Sequence, residues 1–526
     1  MKNQRIIVLF LMILGIGPAP LRAQSPAIAS QPASRAVWTG ANVTFAASAS
    51  GAGPLSYQWQ FNGKNLTNNI ITTVAGGRVG DGGAPTRATL NGPASVAVDA
   101  AGNLFIADTA TNCIRKVSIG GSTTTVAGTG APGFSGDKGL AALAKLNQPS
   151  GVVVDSLGNL FIADGGNYRV RKVTTNGIIT TVAGGGTKYP GDGGAATNAD
   201  LEGLYGESVH RVIVDAFGNV LFSEAGSDIG GQVRKVSTNG TITTIAGRYA
   251  YNGIGLGDGG PATNAFLGNP QGLALDAVGN LFIADAIEGC GLNSRIRKVS
   301  TDGIIVTVAY YSDVVQGQGY NLDLSKASGV AVDASGNLFI ADTGNGVIRE
   351  INNYDLMTTV AGGFRNEKGY SGDGDAATNA TLNSPSTVTL DASGNLFIAD
   401  TGNNVIRKVI NTQGPSLALS GVNAANAGNY KLVVTGPGGQ TTSSAASLIV
   451  ATSPLIYQVA VPAPGSVALD FVSPPGSTNV VLSTPDLSPS ILWQPLSTNV
   501  AGADGGWQFI DTNAASYPAR FYVSHQ

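Results

Sequence analysis

The sequence is poor in the residues that most catalytic and metal centres use. Its 526 residues include only two histidines and two cysteines, Cys113 and Cys290. Two histidines are too few for a zinc site with three histidine ligands. A nucleophile elbow, a paired-cysteine metal motif and a phosphate loop with a lysine are also missing from the sequence. We therefore expect no catalytic residues, no metal site and no cofactor that motifs of these kinds would reveal.

Charge is also scarce, at 12% of residues with a formal net charge of −3. Without a basic excess, nucleic acid is not an expected partner. The 43% apolar content is too high for a disordered chain. The apolar run IIVLFLMILGIG follows Lys2 and Arg5 and precedes the small residues around Ala23. This pattern predicts a signal peptide at residues 1–23 and a secreted, periplasmic or cell-surface protein. No later run is long enough to span a membrane.

Glycine, in contrast, is abundant, with 74 residues, and much of it lies in a repeated phrase. The phrase is clearest at residues 394–409, GNLFIADTGNNVIRKV, and it recurs six times at spacings of 56 to 61 residues. A fixed period of this size indicates a repeat architecture. Each copy contains four short runs rich in Val, Ile, Thr and Phe, separated by Gly and Asn turns, which predicts a four-stranded β-meander. Such meanders arranged radially form a β-propeller.

GNLFIADTGNNVIRKV resembles an NHL repeat, and the six copies span residues 70–411. The resemblance implies a six-bladed β-propeller. The sixth copy lacks a fourth strand, whereas a spare one, IITTVAG at residues 70–76, precedes the first copy and matches residues 178–184 letter for letter. We therefore expect the first strand of this region to complete the last blade and close the ring.

The segments on either side of the repeats resemble two halves of an immunoglobulin-like domain. YQWQFNGKNLTNN, at residues 57–69, provides a strand-C tryptophan, Trp59, and NAGNY, ending at Tyr430, resembles a tyrosine corner. We predict one sandwich, built from residues 26–69 and 412–451, that carries the propeller in a loop. Two unrelated β-segments are the alternative. Residues 452–526 predict a small C-terminal β-sandwich, so the expected fold class is all-β throughout.

Carboxylate and arginine side chains recur at equivalent positions of the repeats. A ring of carboxylates is one possible calcium site. Alternatively, each carboxylate accepts hydrogen bonds from its own loop and pairs with the nearby arginine. The GDGG-like segments between the copies are expected to form turns. The predicted structural residues are Asp108, Asp164, Asp285, Asp342, Asp400, Arg115, Arg171, Arg234, Arg297, Arg349 and Arg407.

Departures from the repeat are better candidates for function than the residues that all copies share. The third copy departs most, because it has His210 and Arg211 where the other copies have mainly small residues. Innermost strands line the channel of a propeller, so we predict a ligand site at the channel mouth that includes His210, Arg211, Glu207 and Glu224. The alternative is that these side chains are structural.

Three functions are compatible with this sequence. The first is an exported, non-catalytic protein that binds a protein, glycan or small ligand through the long loops of the propeller. The second is a propeller enzyme, a lyase or hydrolase, acting near His210. The third is a structural surface protein. The cysteines lie in blades that oppose each other across a six-fold ring, so we expect both to be free thiols.

Overall fold

A computed structural model describes residues 25–51, 55–66, 70–76, 88–118, 121–202, 208–225, 230–248, 256–286, 294–309, 324–352, 357–363, 368–410, 415–419, 422–488, 490–517 and 519–525. Residues 67–411 form one compact unit, here called the propeller unit. Residues 1–66 and 412–526 together form a second, the flanking unit. The predicted signal peptide lies outside the described residues. Within the ranges given, no helix is long and apolar enough to cross a membrane.

The described residues of the propeller unit contain six four-stranded antiparallel sheets, one for each sequence repeat. In each sheet the strands follow one another in sequence from the inner to the outer edge, except in the sixth. The inner strands are Pro93–Val98, Pro149–Val154, Ser208–Val214, Pro270–Leu275, Ala327–Val332 and Pro385–Leu390. The second strands are Leu104–Asp108, Leu160–Asp164, Val220–Ala225, Leu281–Asp285, Leu338–Asp342 and Leu396–Asp400. The third strands are Cys113–Val117, Arg169–Val173, Gly231–Val236, Arg295–Val299, Val347–Ile351 and Val405–Ile410. The outer strands are Thr123–Ala127, Ile179–Ala183, Ile242–Ala246, Ile305–Ala309, Met357–Ala361 and Ile70–Ala75.

The second strands explain why the phrase LFIAD recurs. All five of its residues are buried in every copy that contains it, because both faces of each sheet pack against neighbouring blades. The D-x-x-G-N turns that join inner and second strands lie together on one face, which we call the turn face. The loops between second and third strands lie on the opposite face, the loop face, where each connection between blades begins and ends.

The sixth sheet is closed by a strand from the start of the unit. Ile70–Ala75 pairs antiparallel with Val405–Ile410, with Ile70 opposite Ile410. Ile71 is fully buried in a core cluster built from the fifth and sixth blades. The predicted closure is therefore present, and no blade is left with an unpaired third strand.

Connections between blades fill the space where neighbouring blades diverge towards the rim. Their A-x-x-A-x-L motif places small and apolar side chains in that space. Ala141, Ala144 and Leu146 are buried there. The backbone of each connection also bonds to the next blade, as Lys138 N–H does to the carbonyl of Ile179 at 2.7 Å. These connections contain the 3₁₀ turns Ala141–Leu143, Ala196–Asn198, Ala262–Asn264 and Ala377–Asn379. Three further 3₁₀ turns, Thr109–Thr111, Gly165–Asn167 and Thr401–Asn403, follow second strands.

The flanking unit contains a β-sandwich made from both ends of the chain. Its largest sheet joins strands from before and after the propeller unit, because Ser56–Phe61 pairs with Gly428–Gly436. A smaller sheet does the same, with Val43–Ala46 against Ser416–Leu419. The other strands of this sandwich are Ala27–Ser30, Arg35–Trp38, Ser48–Ser50, Lys64–Asn65, Gly439–Thr442 and Ala446–Ala451, with a 3₁₀ turn at Ala424–Asn426.

Trp59 and Tyr430 lie in the core of this sandwich. Both side chains are buried, and the ring of Phe45 lies 6.2 Å from that of Trp59 and 4.7 Å from that of Tyr430. The Tyr430 hydroxyl donates a hydrogen bond of 2.7 Å to the carbonyl of Asn426, which is the contact expected of a tyrosine corner. Assignment of this sandwich to the immunoglobulin class stays a prediction.

The C-terminal module consists of two three-stranded sheets and packs on the sandwich. The N–H of Trp38 donates to the carbonyl of Asp504 at 2.8 Å, and Ala36 forms a small core with Ala451 and Val472. Residues 452–526 are therefore part of the flanking unit. The sheets comprise Leu455–Ala460, Val467–Val472 and Gly506–Asp511, and Thr478–Thr484, Gln494–Val500 and Phe521–His525, with a 3₁₀ turn at Ala514–Ser516. The all-β fold class and the six-bladed propeller are confirmed.

The closing strand generates a first prediction. Ile71 should contribute as much stability to the sixth blade as its counterpart Ile179 contributes to the second, because both side chains are fully buried. Ile71→Ala and Ile179→Ala should each lower the free energy of unfolding by about 2–5 kcal/mol. Urea denaturation measures the change, with the partly buried Thr72→Ala as control. An Ile71→Ala variant as stable as the wild type would contradict the closure.

The second prediction concerns the insertion. Because Ile70 and Ile410 lie opposite each other in one antiparallel pair, the ends of the propeller are about 5 Å apart. Removing residues 67–411 and joining Leu66 to Thr412 should therefore leave a folded flanking unit. Cooperative thermal unfolding and a near-ultraviolet circular dichroism signal from the packed aromatic rings would show this. An unfolded product would mean that the sandwich depends on the propeller unit.

Candidate functional site

An axial cavity runs between the inner strands of the six blades. Each inner strand is the terminal strand of its sheet, so one of its edges faces the axis. The cavity has a volume of about 240 Å³, and residues of all six inner strands line it. Its wall is mostly Val, Leu and Ala, including Val96, Val152 and Leu273. Arg211 is the only charged side chain among these lining residues.

Arg211 occupies a level of the channel where the other blades keep small residues. The inner strands approach each other so closely there that a Cβ atom on Gly272 would lie 2.8 Å from the Cα of Gly329. A Cβ on Gly151 would lie 3.1 Å from the carbonyl oxygen of His210. One large side chain therefore fits where five small ones surround it. The residues at the equivalent positions are Ser95, Gly151, Gly272, Gly329 and Thr387.

The guanidinium of Arg211 bridges four of the six blades. Its donors point towards the loop-face ends of the inner strands, where main-chain carbonyls converge. The side chain therefore closes this end of the cavity and ties the blades together. Nη1 donates to the carbonyls of Ser150 and His210, and Nη2 donates to the carbonyls of Ala94 (2.8 Å) and Ser386 (3.2 Å) and to the Thr387 hydroxyl (2.8 Å).

These partners are all neutral, and no carboxylate lies within ion-pair distance of Arg211 among the described residues. Burial lowers the pKa of Arg211 to about 10, so the group stays protonated at neutral pH. The axial cavity thus ends in a positive charge that carbonyl dipoles solvate and that no described carboxylate neutralises.

His210 lies one residue nearer the loop face and is held in its neutral form. Burial, and then the neighbouring charge of Arg211, lower the pKa of His210 to about 4. Its Nε2 lies 3.3 Å from the hydroxyl of Ser208. At pH 7 the imidazole is therefore uncharged and cannot form an ion pair with a ligand.

Glu224 is not grouped with these side chains in an open site. It is buried at the carboxylate position of the third repeat and pairs with Arg234, with 3.1 Å between Oε2 and Nη1. Glu207, the remaining residue of the predicted site, lies outside the described residues. The structure therefore accounts for His210, Arg211 and Glu224 by contacts within the propeller, and the ligand site assigned to them remains a prediction.

The repeated carboxylates accept hydrogen bonds from their own loops and contact nearby arginines. This was one of the two alternatives expected from the sequence. In each described case, one oxygen accepts a main-chain N–H from the segment just before the inner strand of the same blade, as Asp164 does from Asn147 at 2.8 Å. The second oxygen of Asp164 accepts from Asn167 and lies 3.4 Å from Arg171. The corresponding amide contacts to Asp108, Asp285, Asp342 and Asp400 measure 2.7, 2.9, 2.8 and 2.7 Å.

The repeated arginines have partners that the sequence interpretation missed. Aspartates of the GDGG-like connections, expected only to form turns, make ion pairs with third-strand arginines of the following blade, as Asp137 does with Arg171 at 2.8 Å. The signal was present in the sequence, because this aspartate accompanies the arginine copy after copy. The other pairs are Arg234–Asp192, Arg297–Asp258 and Arg407–Asp373. Arg115 donates to Thr125, and Arg349 contacts Asp342 at 3.2 Å; the equivalent aspartates of the connections before them lie outside the described residues.

Three further departures from the repeat lie on the turn face. The sequence interpretation did not identify them as candidate functional residues. The third position of the D-x-x-G-N turn is Leu157, Phe217 and Val278 in the second, third and fourth blades, and these side chains are 77%, 84% and 75% exposed. We call these three residues the apolar arc. The other three blades have Ala101, Ser335 and Ser393 at this position. Aligning the six turns with one another would have shown the difference.

The backbone under the apolar arc is held in place by the aspartate that begins each turn. Asp215 accepts hydrogen bonds from the N–H of Phe217 at 2.9 Å and from the backbone and side chain of Asn219. Burial alone would raise the pKa of Asp215, but these bonds and the charge of Lys235 hold it below its ordinary value. The second and fourth blades repeat the contact with Asp155 and Asp276. The arc is thus presented on a rigid support.

Among the described residues, no group of three or more His, Cys, Asp or Glu side chains is placed to hold a metal ion. Cys113 is a buried free thiol, and burial raises its pKa. Cys290 lies outside the described residues.

Comparison with known proteins finds similarity to NHL propellers. The family model described as the teneurin NHL domain matches residues 131–190. Teneurin-1 of Homo sapiens is 28% identical over 244 residues, which cover 42% of this chain and 8% of that protein. Protein SUPPRESSOR OF QUENCHING 1, chloroplastic, of Arabidopsis thaliana is 26% identical over 277 residues, covering 50% and 25%. A solved streptogramin B lyase is 13% identical with a TM-score of 0.39, covering 65% of this chain and 97% of that one. This chain thus spans a quarter or less of these two curated relatives.

The buried imidazole generates a third prediction. The ring of His210 should titrate with a pKa of about 4, against about 6.5 in the unfolded chain. Because the folded pKa is the lower one, the contribution of His210 to stability is complete above pH 6.5. It is lost as the pH falls towards 4, by about 3 kcal/mol at most.

The histidine ring signals in an NMR pH titration measure this pKa, and His210→Gln identifies the signal. Denaturation at pH 7 and pH 4.5 measures the stability change, which the variant should reduce. A midpoint near 6.5 would instead show a hydrated ring and would support a ligand-binding role for it.

Proposed function

We propose that the NHL β-propeller of this chain is a non-catalytic recognition module of an exported protein, and that it binds a protein partner. The observation that carries the proposal is the apolar arc, in which three adjacent blades each expose a large apolar side chain at the same turn position. Clustered exposed apolar side chains on a folded protein indicate an interaction surface.

In a repeat protein, the residues that depart from the repeat are better guides to function than those that all copies share. A residue shared by all blades is explained by the fold, whereas an exception has its own cause. The described exceptions His210, Arg211 and Glu224 are largely enclosed and bonded to the propeller itself, whereas Leu140 and Leu143 expose apolar side chains within a single connection. The exceptions on the turn face, Leu157, Phe217 and Val278, make no comparable use of their side chains within the fold, since each is at least three-quarters exposed.

The chemistry of the arc favours a protein over the other predicted ligand classes. Two aliphatic side chains and one phenyl ring offer no hydrogen bonds to a glycan, whereas they match the apolar centre of a protein interface. The turns that carry them are held by side-chain and main-chain hydrogen bonds in the free protein, so little ordering cost arises on binding. The long loops of the loop face, which the sequence favoured as the recognition surface, are the alternative location.

An enzyme acting near His210 has less support. The imidazole is neutral and largely buried, and four N–H groups of the neighbouring Arg211 are directed at the main chain or at Thr387. Neither the imidazole nor these four N–H groups can act as an acid on a substrate unless the inner strands rearrange.

The fourth prediction tests the arc directly. Leu157→Ser/Phe217→Ser/Val278→Ser should weaken binding of the partner by at least tenfold, since truncating a central apolar contact costs more than about 1 kcal/mol. The partner is first isolated from the extracellular fraction of the producing cells and purified. Its affinity is then measured by calorimetry against the wild type and the variant.

A matched control changes the same turn position in the other blades. Ala101→Ser/Ser335→Ala/Ser393→Ala should bind as the wild type does. All three proteins should unfold at similar temperatures, because the altered side chains are outside the core. A partner that binds the arc variant normally would move recognition to the loop face, and metal-dependent turnover of a small molecule would overturn the non-catalytic assignment.

A further inference from the structure

The axial cavity has properties that the recognition of a protein partner on the turn face does not explain. It is enclosed by the six inner strands and ends at the guanidinium of Arg211. The inner strands run from the loop face to the turn face, and the lining continues past Arg211 to Leu275, Val332 and Leu390 near the turn face. The cavity is therefore blocked at one end by a charge and extends from it towards the other.

Among the described residues, the charge at this end is solvated by main-chain carbonyls and has no carboxylate within ion-pair distance. The four Nη protons of Arg211 are taken up by carbonyl oxygens and one hydroxyl. Its Nε–H has no partner among the described residues, which is also true of Arg171, Arg234 and Arg407. Elsewhere in the propeller, buried arginines such as Arg171, Arg234 and Arg407 each have aspartate or glutamate within 4 Å. A partly buried cation without a carboxylate partner is less stable than a paired one, and an anion placed in the cavity would supply that partner.

We propose that the axial cavity binds a small aliphatic carboxylate, with its anionic end towards Arg211 and its apolar part against the inner-strand side chains. The proposal concerns the inside of the propeller and does not depend on the apolar arc or on a protein partner.

Size, charge and wall chemistry together define this ligand class. A volume of about 240 Å³ corresponds to roughly eight water molecules at their share of liquid volume, which is more than one halide ion fills. A single positive charge calls for a monoanion, and a cationic ligand would be repelled. Val153, Ile213, Leu275 and Val332 line the cavity with partly exposed side chains and supply apolar contacts for a short alkyl chain.

The experiment uses sodium trifluoroacetate as the probe, since its fluorine NMR signal reports binding to the whole chain. We expect saturable binding to the wild type, and displacement by propionate but not by the same concentration of chloride at constant ionic strength. Arg211→Met, which removes the charge and keeps most of the volume, should weaken binding at least tenfold. The matched control is Arg169→Met, which makes the same change in net charge on the third strand of the second blade, outside the residues that line the cavity.

A second measurement covers the case in which Arg211→Met does not fold. Crystals of the wild-type chain, grown without carboxylates and soaked in trifluoroacetate, should show the ligand in the cavity beside Arg211. Three results would overturn the proposal: no saturable binding, equal displacement by chloride, or soaked crystals with only water in the cavity. Equal weakening by both arginine variants would likewise assign the effect to overall charge and not to this site.

Discussion

The antiparallel pairing of Ile70–Ala75 with Val405–Ile410 is the contact on which the rest of the propeller depends. A ring of blades has no free sheet edges only when the last blade is complete, and here the completing strand comes from the opposite end of the unit. The same pairing places the two ends of the unit side by side. A host domain can then accept the whole propeller in one loop without stretching, which is why strands from before and after it share sheets in the flanking unit.

Closure also determines what can happen at the axis. Six inner strands are held so near one another that glycine or a small residue is needed at the level of Gly272 and Gly329. A single arginine at this level reaches carbonyls from several blades at once, which no side chain on an open sheet could do. Among the described residues this partly buried charge has no counter-ion, which is the physical reason for expecting an anion in the axial cavity.

Exceptions within a repeat are informative only when their surroundings are known. His210 and Arg211 were visible as exceptions in the sequence, yet their type suggested an open ligand site, and the structure directs them into the propeller. Leu157, Phe217 and Val278 were equally visible but looked like ordinary apolar residues. Their exposure, on the same face of three adjacent blades, is what makes them candidates for recognition.

The sequence by itself determined the all-β class, the number of blades and the strand that closes the ring, because these follow from local periodicity and from near-identical copies of one phrase. It left open whether Asp164 and its equivalents serve their own loops or a calcium site, since one carboxylate per copy fits both, and the hydrogen bonds of the structure favour the loops. Only the tertiary structure decided the role of Arg211 and the pairing of Asp137 with Arg171. Both are contacts between blades, where the partners are set by the curvature of the ring and by main-chain atoms that every sequence shares.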